Sequence, residues 1–154
     1  MNEELYNELV AQFNTDGGEI LMFTVDRVLY GVEIQYITEI IGIQPITIVP
    51  RVPSYIKGVI NIRGKVVPVI NVRNRFSIPE IPYDDRTCII VVELGEIVVG
   101  LIVDRVREVI TVKPSEISST PDNNQNSSNQ FIRSIIESND EIKLLLDVRK
   151  LVME

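Results

Sequence analysis

The stretch ILMFTVDRVLYGVEIQYITEII, residues Ile20 to Ile41, lies without a gap over IIVVELGEIVVGLIVDRVREVI, residues Ile89 to Ile110, and apolar meets apolar nearly throughout. The offset is 69 positions, so Gly31 falls on Gly100 and Glu39 on Glu108. It holds through Pro45 on Pro114 and Ile48 on Ile117, whereas Ile56 to Arg73 matches Ile132 to Arg149 only at an offset of 76. The growth in offset coincides with the polar run DNNQNSSNQ, Asp122 to Gln130. A unit repeated at this spacing predicts two similar small subdomains.

At 154 residues the chain is long enough to bury a core, roughly 70% of its unfolded surface. The balance of 15 basic against 22 acidic residues gives a net charge of −7, which repels phosphate backbones and anionic lipid headgroups. Nucleic acid and direct membrane insertion are therefore not expected. The longest apolar stretch, Ile97 to Val103, falls far short of the ~20 residues that span a bilayer. The start of the chain has no basic, apolar signal segment. A single cysteine, Cys88, cannot close an internal disulfide, which fits a reducing cytoplasm.

Residues 1–17 place Leu5, Leu9, Val10 and Phe13 at helical spacing before Asn14, Asp16, Gly17 and Gly18 break it, so a short N-terminal helix is expected there. From Ile20 onward, valine- and isoleucine-rich runs are separated by Asp26-Arg27, Gly42, Gly64-Lys65, Gly95-Glu96 and Asn139-Asp140. These read as strands with tight turns between them, since Gly95 and Asn139-Asp140 tolerate the positive φ of a hairpin turn. Val52 to Lys57 and Phe131 to Glu137 read as short helical turns or irregular lead-ins to strands. Ser118 to Gln130 reads as an exposed polar loop. Each copy thus offers four or five short strands, enough to curl into a small barrel. Units this short bury too little alone, so the two must share a seam. The expected division is an extension over 1–17, a first subdomain over 18–82 and a second over 83–154.

Catalytic chemistry finds no footing. The chain has no histidine, which removes the commonest general base and metal ligand. Gly58 to Val66 resembles a phosphate loop only superficially, with five residues between Gly58 and Gly64 and valine where a hydroxyl is needed. The Asp/Asn run from Asp122 puts Ser127 at the turn glycine of a calcium loop and Arg133 at its bidentate glutamate. No metal, no cofactor and no enzymatic activity are expected.

Differences between the copies carry more information than their agreement. Residues present in both serve the common fold, whereas a residue in one copy only is not explained by the repeat. Arg73 and Arg149 follow Asn71-Val72 and Asp147-Val148 and read as turn and cap residues. Arg63-Gly64 becomes Asn139-Asp140 in the second copy, so a cationic hairpin tip belongs to the first half alone. Arginine there presents a rigid donor fork to a partner's carboxylate or carbonyl groups.

The string Ile56-Lys-Gly-Val-Ile-Asn-Ile-Arg-Gly-Lys-Val-Val-Pro-Val-Ile-Asn-Val-Arg73 closely resembles the signature of the CheW family, the coupling proteins of bacterial chemotaxis. Phe23-Thr-Val with Tyr30-Gly-Val, Ile37-Thr-Glu-Ile-Ile41, Val99-Gly-Leu-Ile-Val-Asp-Arg-Val106 and Leu145-Leu-Asp-Val-Arg-Lys-Leu151 match in order. The resemblance runs from about residue 18 to the end. Asn71 stands where the family commonly has aspartate, and Ser134 where it commonly has glycine.

That resemblance implies a mainly β protein: two SH3-like, five-stranded β-barrel subdomains around a shared core, with short helices and with some exchange of strands between the subdomains, which makes the boundary near residue 82 approximate. It implies a non-catalytic adaptor, monomeric in isolation and cytoplasmic, recruited to membrane-associated receptor arrays. Its implied partners are the cytoplasmic tips of chemoreceptors and the regulatory domain of the histidine kinase CheA. The receptor tip is expected in the groove between the barrels. Carried over by position, the receptor-binding candidates are Ile37, Glu39, Gly58, Arg63, Cys88 and Val109. The residues facing the kinase are not assigned. Two other readings of the residues stay open, a CheW-like regulatory domain of a kinase and a generic double-barrel protein-binding module.

Overall fold

The computed structural model describes residues 18–119 and 130–153. The expected N-terminal helix and most of the polar loop Ser118 to Gln130 lie outside them. Within the described part, the apolar runs form strands β1 (Gly18–Val25), β2 (Val28–Glu33), β3 (Ile37–Gly42), β4 (Ile56–Ile62), β5 (Lys65–Asn71), β6 (Cys88–Leu94), β7 (Ile97–Val103), β8 (Arg105–Val112), β9 (Ile117–Ser119), β10 (Ile132–Ser138) and β11 (Glu141–Leu146). Two short helices follow β5 and β11: α1 (Val72–Arg75) and α2 (Val148–Met153). Each helix begins at an Asx residue. Asn71 Oδ1 accepts from the Arg73 N–H at 2.9 Å, and Asp147 Oδ1 accepts from the Lys150 N–H at 3.1 Å. The hairpin turns take positive φ at Gly95 and Asn139-Asp140, as the sequence predicts, and also at Asp26-Arg27 and Arg63-Gly64. One reading holds only in part: a 3₁₀ turn at Gln130–Phe131 leads into a strand, β10, that takes up the rest of Phe131 to Glu137 and is bulged between Ile132 and Ser134. Its isoleucines suit a pleated surface, and the strand pairs along the whole of β11.

The strands form two mixed sheets, ordered β8-β1-β2-β11-β10-β9 and β3-β6-β7-β5-β4. At the repeat offsets β1 maps onto β6, β2 onto β7, β3 onto β8, β4 onto β10 and β5 onto β11. That substitution turns the second order into the first five members of the other sheet. Even the parallel registers agree, since Leu145 lies opposite Gly31 as Val69 lies opposite Gly100. The sixth strand, β9, pairs with β10 through Ser118 opposite Ile135. Its counterpart is the isolated Thr47–Val59 bridge beside β4. The duplication is thus complete, but the sheets cut across it. The β1–β2 hairpin of the first half sits among strands of the second, and the β6–β7 hairpin does the reverse. The division into 18–82 and 83–154 therefore describes the repeat rather than the sheets.

Both sheets must curl. β8 and β9 occupy opposite edges of one sheet, yet only Lys113–Glu116 separates them, with a 3₁₀ turn at Pro114–Glu116. Five residue steps reach at most ~18 Å, whereas a flat six-stranded sheet would hold its edges ~24 Å apart. The same constraint applies from Gly42 at the end of β3 to Thr47, bridged to β4.

Curling sorts the side chains into three cores. Ile20, Met22, Leu29, Val112, Ile136 and Leu145 fill the interior of the first sheet. Ile60, Val67, Val69, Ile89, Val91 and Ile102 fill the second. The largest core lies at the seam and takes the alternate residues of the same strands, among them Leu21, Phe23 and Val25 from β1 and Ile90, Val92 and Leu94 from β6. Strands buried on both faces read as continuous apolar runs, which is why β1 and β6 lack alternation. A Cβ on Gly31 would meet Ile20 Cγ2 at 2.5 Å, and one on Gly100 would meet Ile89 Cγ2 at 2.7 Å. The two glycines do the same work in both interiors.

An aromatic line crosses the seam, with ring centroids 6.1 Å apart for Phe23–Tyr30, 5.1 Å for Tyr30–Phe76 and 5.6 Å for Phe76–Phe131. Arg75 closes it. Its guanidinium lies over Tyr55 at 3.9 Å and over Phe131 at 4.6 Å. The same group donates to the carbonyls of Lys150 and Leu151 near the end of α2, at 3.0 and 2.9 Å. Tyr55 and Phe131 are repeat mates at the offset of 76, so one cation stacks between equivalent rings of the two halves.

Candidate functional site

Five of the six sequence candidates lie on the β3-β6-β7-β5-β4 sheet or its hairpin tip, and Val109 lies on the edge strand β8 of the other sheet. Ile37 opens β3 and packs half-buried against the seam core. Glu39 follows a bulge between Ile37 and Glu39, which lets Ile37 face the seam while Ile41 faces the sheet's own interior. Cys88 starts β6 opposite Gly42, half-buried, with its thiol 3.3 Å from the Arg86 carbonyl. Gly58 is buried, and a Cβ there would collide with the Thr47 carbonyl oxygen that bridges to Val59. Its glycine has a packing reason. Any effect of Gly58 on a partner passes through that bridge.

The structure brings two candidates into contact. Arg63 sits at the β4–β5 tip in the left-handed region at φ 51°, where a non-glycine residue is strained. Its two terminal nitrogens donate to the two carboxylate oxygens of Glu39 on β3. The Arg63 side chain remains 75% exposed and the Glu39 side chain 26%. The Glu39 carboxylate holds the Arg63 proton even more firmly than is usual for arginine. The tip is shaped by Asn61, whose Oδ1 accepts the Gly64 N–H at 2.8 Å. On the other sheet a strand-to-hairpin ion pair recurs with opposite polarity, Arg107 of β8 donating to Glu141 of β11 at 3.0 Å.

Sequence reasoning passed over Ile40, which the 69-residue offset lays on Val109. Both are exposed, at 43% and 48%, so the repeat itself carried the signal. It also left the departure at Asn71 unexplained. The Asn71 amide donates to Glu80 Oε1 at 2.9 Å, and Lys57 Nζ holds the same oxygen at 2.7 Å. Aspartate there would set carboxylate against carboxylate. The Lys57 ammonium leads the contacts that hold the Glu80 carboxyl below the usual range. Arg73 takes a structural role, as its place after Asn71-Val72 predicts. It donates to Asp104 at 2.9 and 2.7 Å and to the Pro79 carbonyl at 2.9 Å. Burial pulls the Asp104 carboxyl up, but Arg73 and the Asp26 N–H together hold it below its ordinary value.

This arrangement is suited to recognition: a charged fork at a hairpin tip, a half-buried apolar strand beside it and exposed apolar residues on both edge strands. A family model described as CheW-like domain matches residues 19–154. The chain belongs to the CheW family. It is similar to the chemotaxis protein CheW of Bacillus subtilis, 37% identical over 139 residues that cover 90% of this chain and 88% of that one. It is also similar to CheW of Klebsiella aerogenes, 33% identical over 138 residues that cover 90% and 83%. The solved scaffolding protein TtCheW of Thermoanaerobacter tengcongensis superposes with a TM-score of 0.82 at 31% identity, covering 90% of this chain and 94% of that one. Membership makes this a chemotaxis scaffolding and coupling protein of a non-catalytic family, working among chemotaxis signalling partners. Among the described residues no helix is long and apolar enough to cross a membrane.

Proposed function

We propose that this CheW-family chain couples the cytoplasmic tips of chemoreceptors to the regulatory domain of the histidine kinase CheA, as a cytoplasmic monomer recruited to receptor arrays. The receptor's helical hairpin lays its apolar face along Ile37 and Val109, while Arg63 and Glu39 set its orientation. Gly58 and Cys88 keep the sheet beneath that surface in shape. The observation that carries the reading is the Arg63 fork at a hairpin tip, its side chain 75% exposed and paired with Glu39. A solvated ion pair of this kind adds little stability, so its geometry is better explained by recognition.

The test is a titration of Arg63→Glu and Arg63→Gln against a receptor-tip fragment and, separately, against the kinase regulatory domain. Receptor affinity should fall by at least about tenfold, about 1.4 kcal/mol, with the kinase contact and thermal stability retained. Unchanged receptor affinity in both variants removes Arg63 from the surface.

A further inference from the structure

Two connections carry the chain from a strand of one sheet to an edge strand of the other. The 3₁₀ turn Ile34–Tyr36 leads from β2 in the first sheet to β3 in the second, and Asp104 alone leads from β7 in the second to β8 in the first. Each delivered strand is bonded to a single neighbour, β3 to β6 and β8 to β1. With a ladder on one side only, where such a strand lies depends on how its entry is fixed.

At each connection an arginine holds a carboxylate. Glu33, the last residue of β2, accepts from Arg133 of β10, both side chains buried, and from Gln35 within the turn at 2.8 Å. Asp104 accepts from Arg73 at 2.9 and 2.7 Å and from the Asp26 N–H of the β1–β2 turn at 2.8 Å. Arg133 lies on the sheet that the chain is leaving, and Arg73 follows β5 of the sheet that it leaves at Asp104. Tyr36 is buried in the seam core, and its hydroxyl finds no hydrogen-bond partner among the described residues, so it contributes packing. Packing is non-directional, whereas charge-assisted hydrogen bonds also fix geometry.

A buried charge by itself says only that its surroundings match it. The repeat adds a second observation. Glu33 lies over Ile102, Asp104 over Gln35, Arg133 over Lys57 and Arg73 over Arg149, so neither pair is a copy of the other. Two unrelated pairs stand at equivalent connections, which ties them to the place rather than to the duplication. Lys57 supplies the control. It and Arg133 are both passed over by a bulge, between Ile56 and Gly58 and between Ile132 and Ser134, a feature that re-aims a side chain. Lys57 meets Glu80 near the surface, the two side chains 35% and 36% exposed, whereas Arg133 turns inward to the connection. The bulge alone does not demand a buried pair.

We propose that Glu33–Arg133 and Arg73–Asp104 are positioning pairs: each pins the entry to an edge strand, and together they set the spacing of β3, which presents Ile37 and Glu39, from β8, which presents Val109. The consequence for receptor binding rests on the reading proposed above. The strand spacing does not.

The experiment uses the full chain with Cys88→Ser, Ile40→Cys and Val109→Cys, spin-labelled at the two exposed positions, and pulsed electron paramagnetic resonance reads the distance distribution with no partner present. Glu33→Leu with Arg133→Met removes one pair without leaving a lone buried charge, and Arg73→Met with Asp104→Leu removes the other. Each should fold and broaden or shift the distribution. In the unlabelled chain each should weaken binding of a receptor-tip fragment by about fivefold or more. Asp104→Asn, isosteric and partly solvated, should broaden the distribution less and serves where a paired variant does not fold. Ile136→Ala loses stability from the first interior with both pairs intact and should keep the parent's distribution. An unchanged distribution in the pair variants overturns the proposal, and so does equal broadening in Ile136→Ala, which would trace the effect to lost stability. Broadening with receptor affinity retained overturns the link to recognition where Arg63→Glu weakens that contact. Where Arg63→Glu leaves it intact as well, the receptor reading has failed and the positioning pairs stand on the distances.

Discussion

Replacing Arg133 by methionine should destabilise the protein by about 3–5 kcal/mol near neutral pH, and the deficit should shrink as the solution is made acid. Arg133 on β10 pairs with Glu33 on β2 with their side chains only 10% and 3% exposed. Glu33 also accepts from Gln35 at 2.8 Å. Burial pushes the Glu33 carboxyl above its ordinary value, with Arg133 and Gln35 pulling against it and Asp147 adding to the rise. A carboxyl whose folded pKa is raised contributes stability that is fully present below its unfolded pKa and lost as pH rises through the folded one. Without Arg133 the folded value climbs further, so the variant loses most ground in the window between the ordinary carboxylate range and that raised value. Below that window Glu33 takes up a proton and sits neutral in its pocket. Glu33→Leu with Arg133→Met removes both charges and should return to within about 1 kcal/mol of the parent, leaving a coupling of a few kcal/mol in the cycle. Urea unfolding of the four proteins at about pH 5 and pH 8 measures this through the midpoints at constant m. The single variant should also melt roughly 6–15 °C lower at neutral pH. A single-variant cost below about 1 kcal/mol at both pH values, with an additive double variant, would refute the reasoning.

Gly31→Ala and Gly100→Ala should each cost about 1–3 kcal/mol by overpacking equivalent interiors, and urea midpoints that fall together would confirm that the interiors are equivalent. Asn71→Asp should lose up to about 1 kcal/mol at neutral pH from the carboxylate facing Glu80, with chemical denaturation showing the loss fade once Glu80 is protonated. Arg73→Met should move the acid-unfolding midpoint to higher pH. Asp104 is held below its ordinary value and so contributes stability that is present above the unfolded pKa and lost as pH falls through the folded one. Ellipticity followed through acid titration reads the shift.

Much of the fold was legible because duplication writes the same constraint twice. Gly31 and Gly100, or the Asx residues at Asn71 and Asp147, appear at one offset because each meets one steric or hydrogen-bonding demand in two places. The exchange of hairpins between sheets was legible only through the family resemblance. Nothing in ILMFTV or IIVVEL states which strands will flank it, since a doubly buried strand shows its partners on neither face. β10 was only half legible for another reason: its pairing is bulged between Ile132 and Ser134, and over so few residues an interrupted alternation does not separate a strand from a helical turn. The Arg63–Glu39 contact was half legible. The two residues are 24 positions apart, and only the curl of the sheet brings the hairpin tip to β3.

Asymmetry between repeat mates nominates residues, but it cannot by itself separate recognition from repacking. Lys143 stands where Val67 fills the second interior, a change as abrupt as arginine for asparagine at the hairpin tip. Its side chain is only 2% exposed, and its ammonium turns to the Ser138 carbonyl and hydroxyl at 3.0 Å each. Glu33 replaces the pattern's Ile102 and is equally hidden. Both differences are answered inside the fold. A buried charge must find its partners there or titrate away, so its presence says only that the interior was rebuilt around it. Arg63 differs in kind: its fork remains in solvent, and its carboxylate contact is screened enough to be exchanged for another. The residue that a partner can reach is the one whose departure from the repeat the interior leaves unanswered.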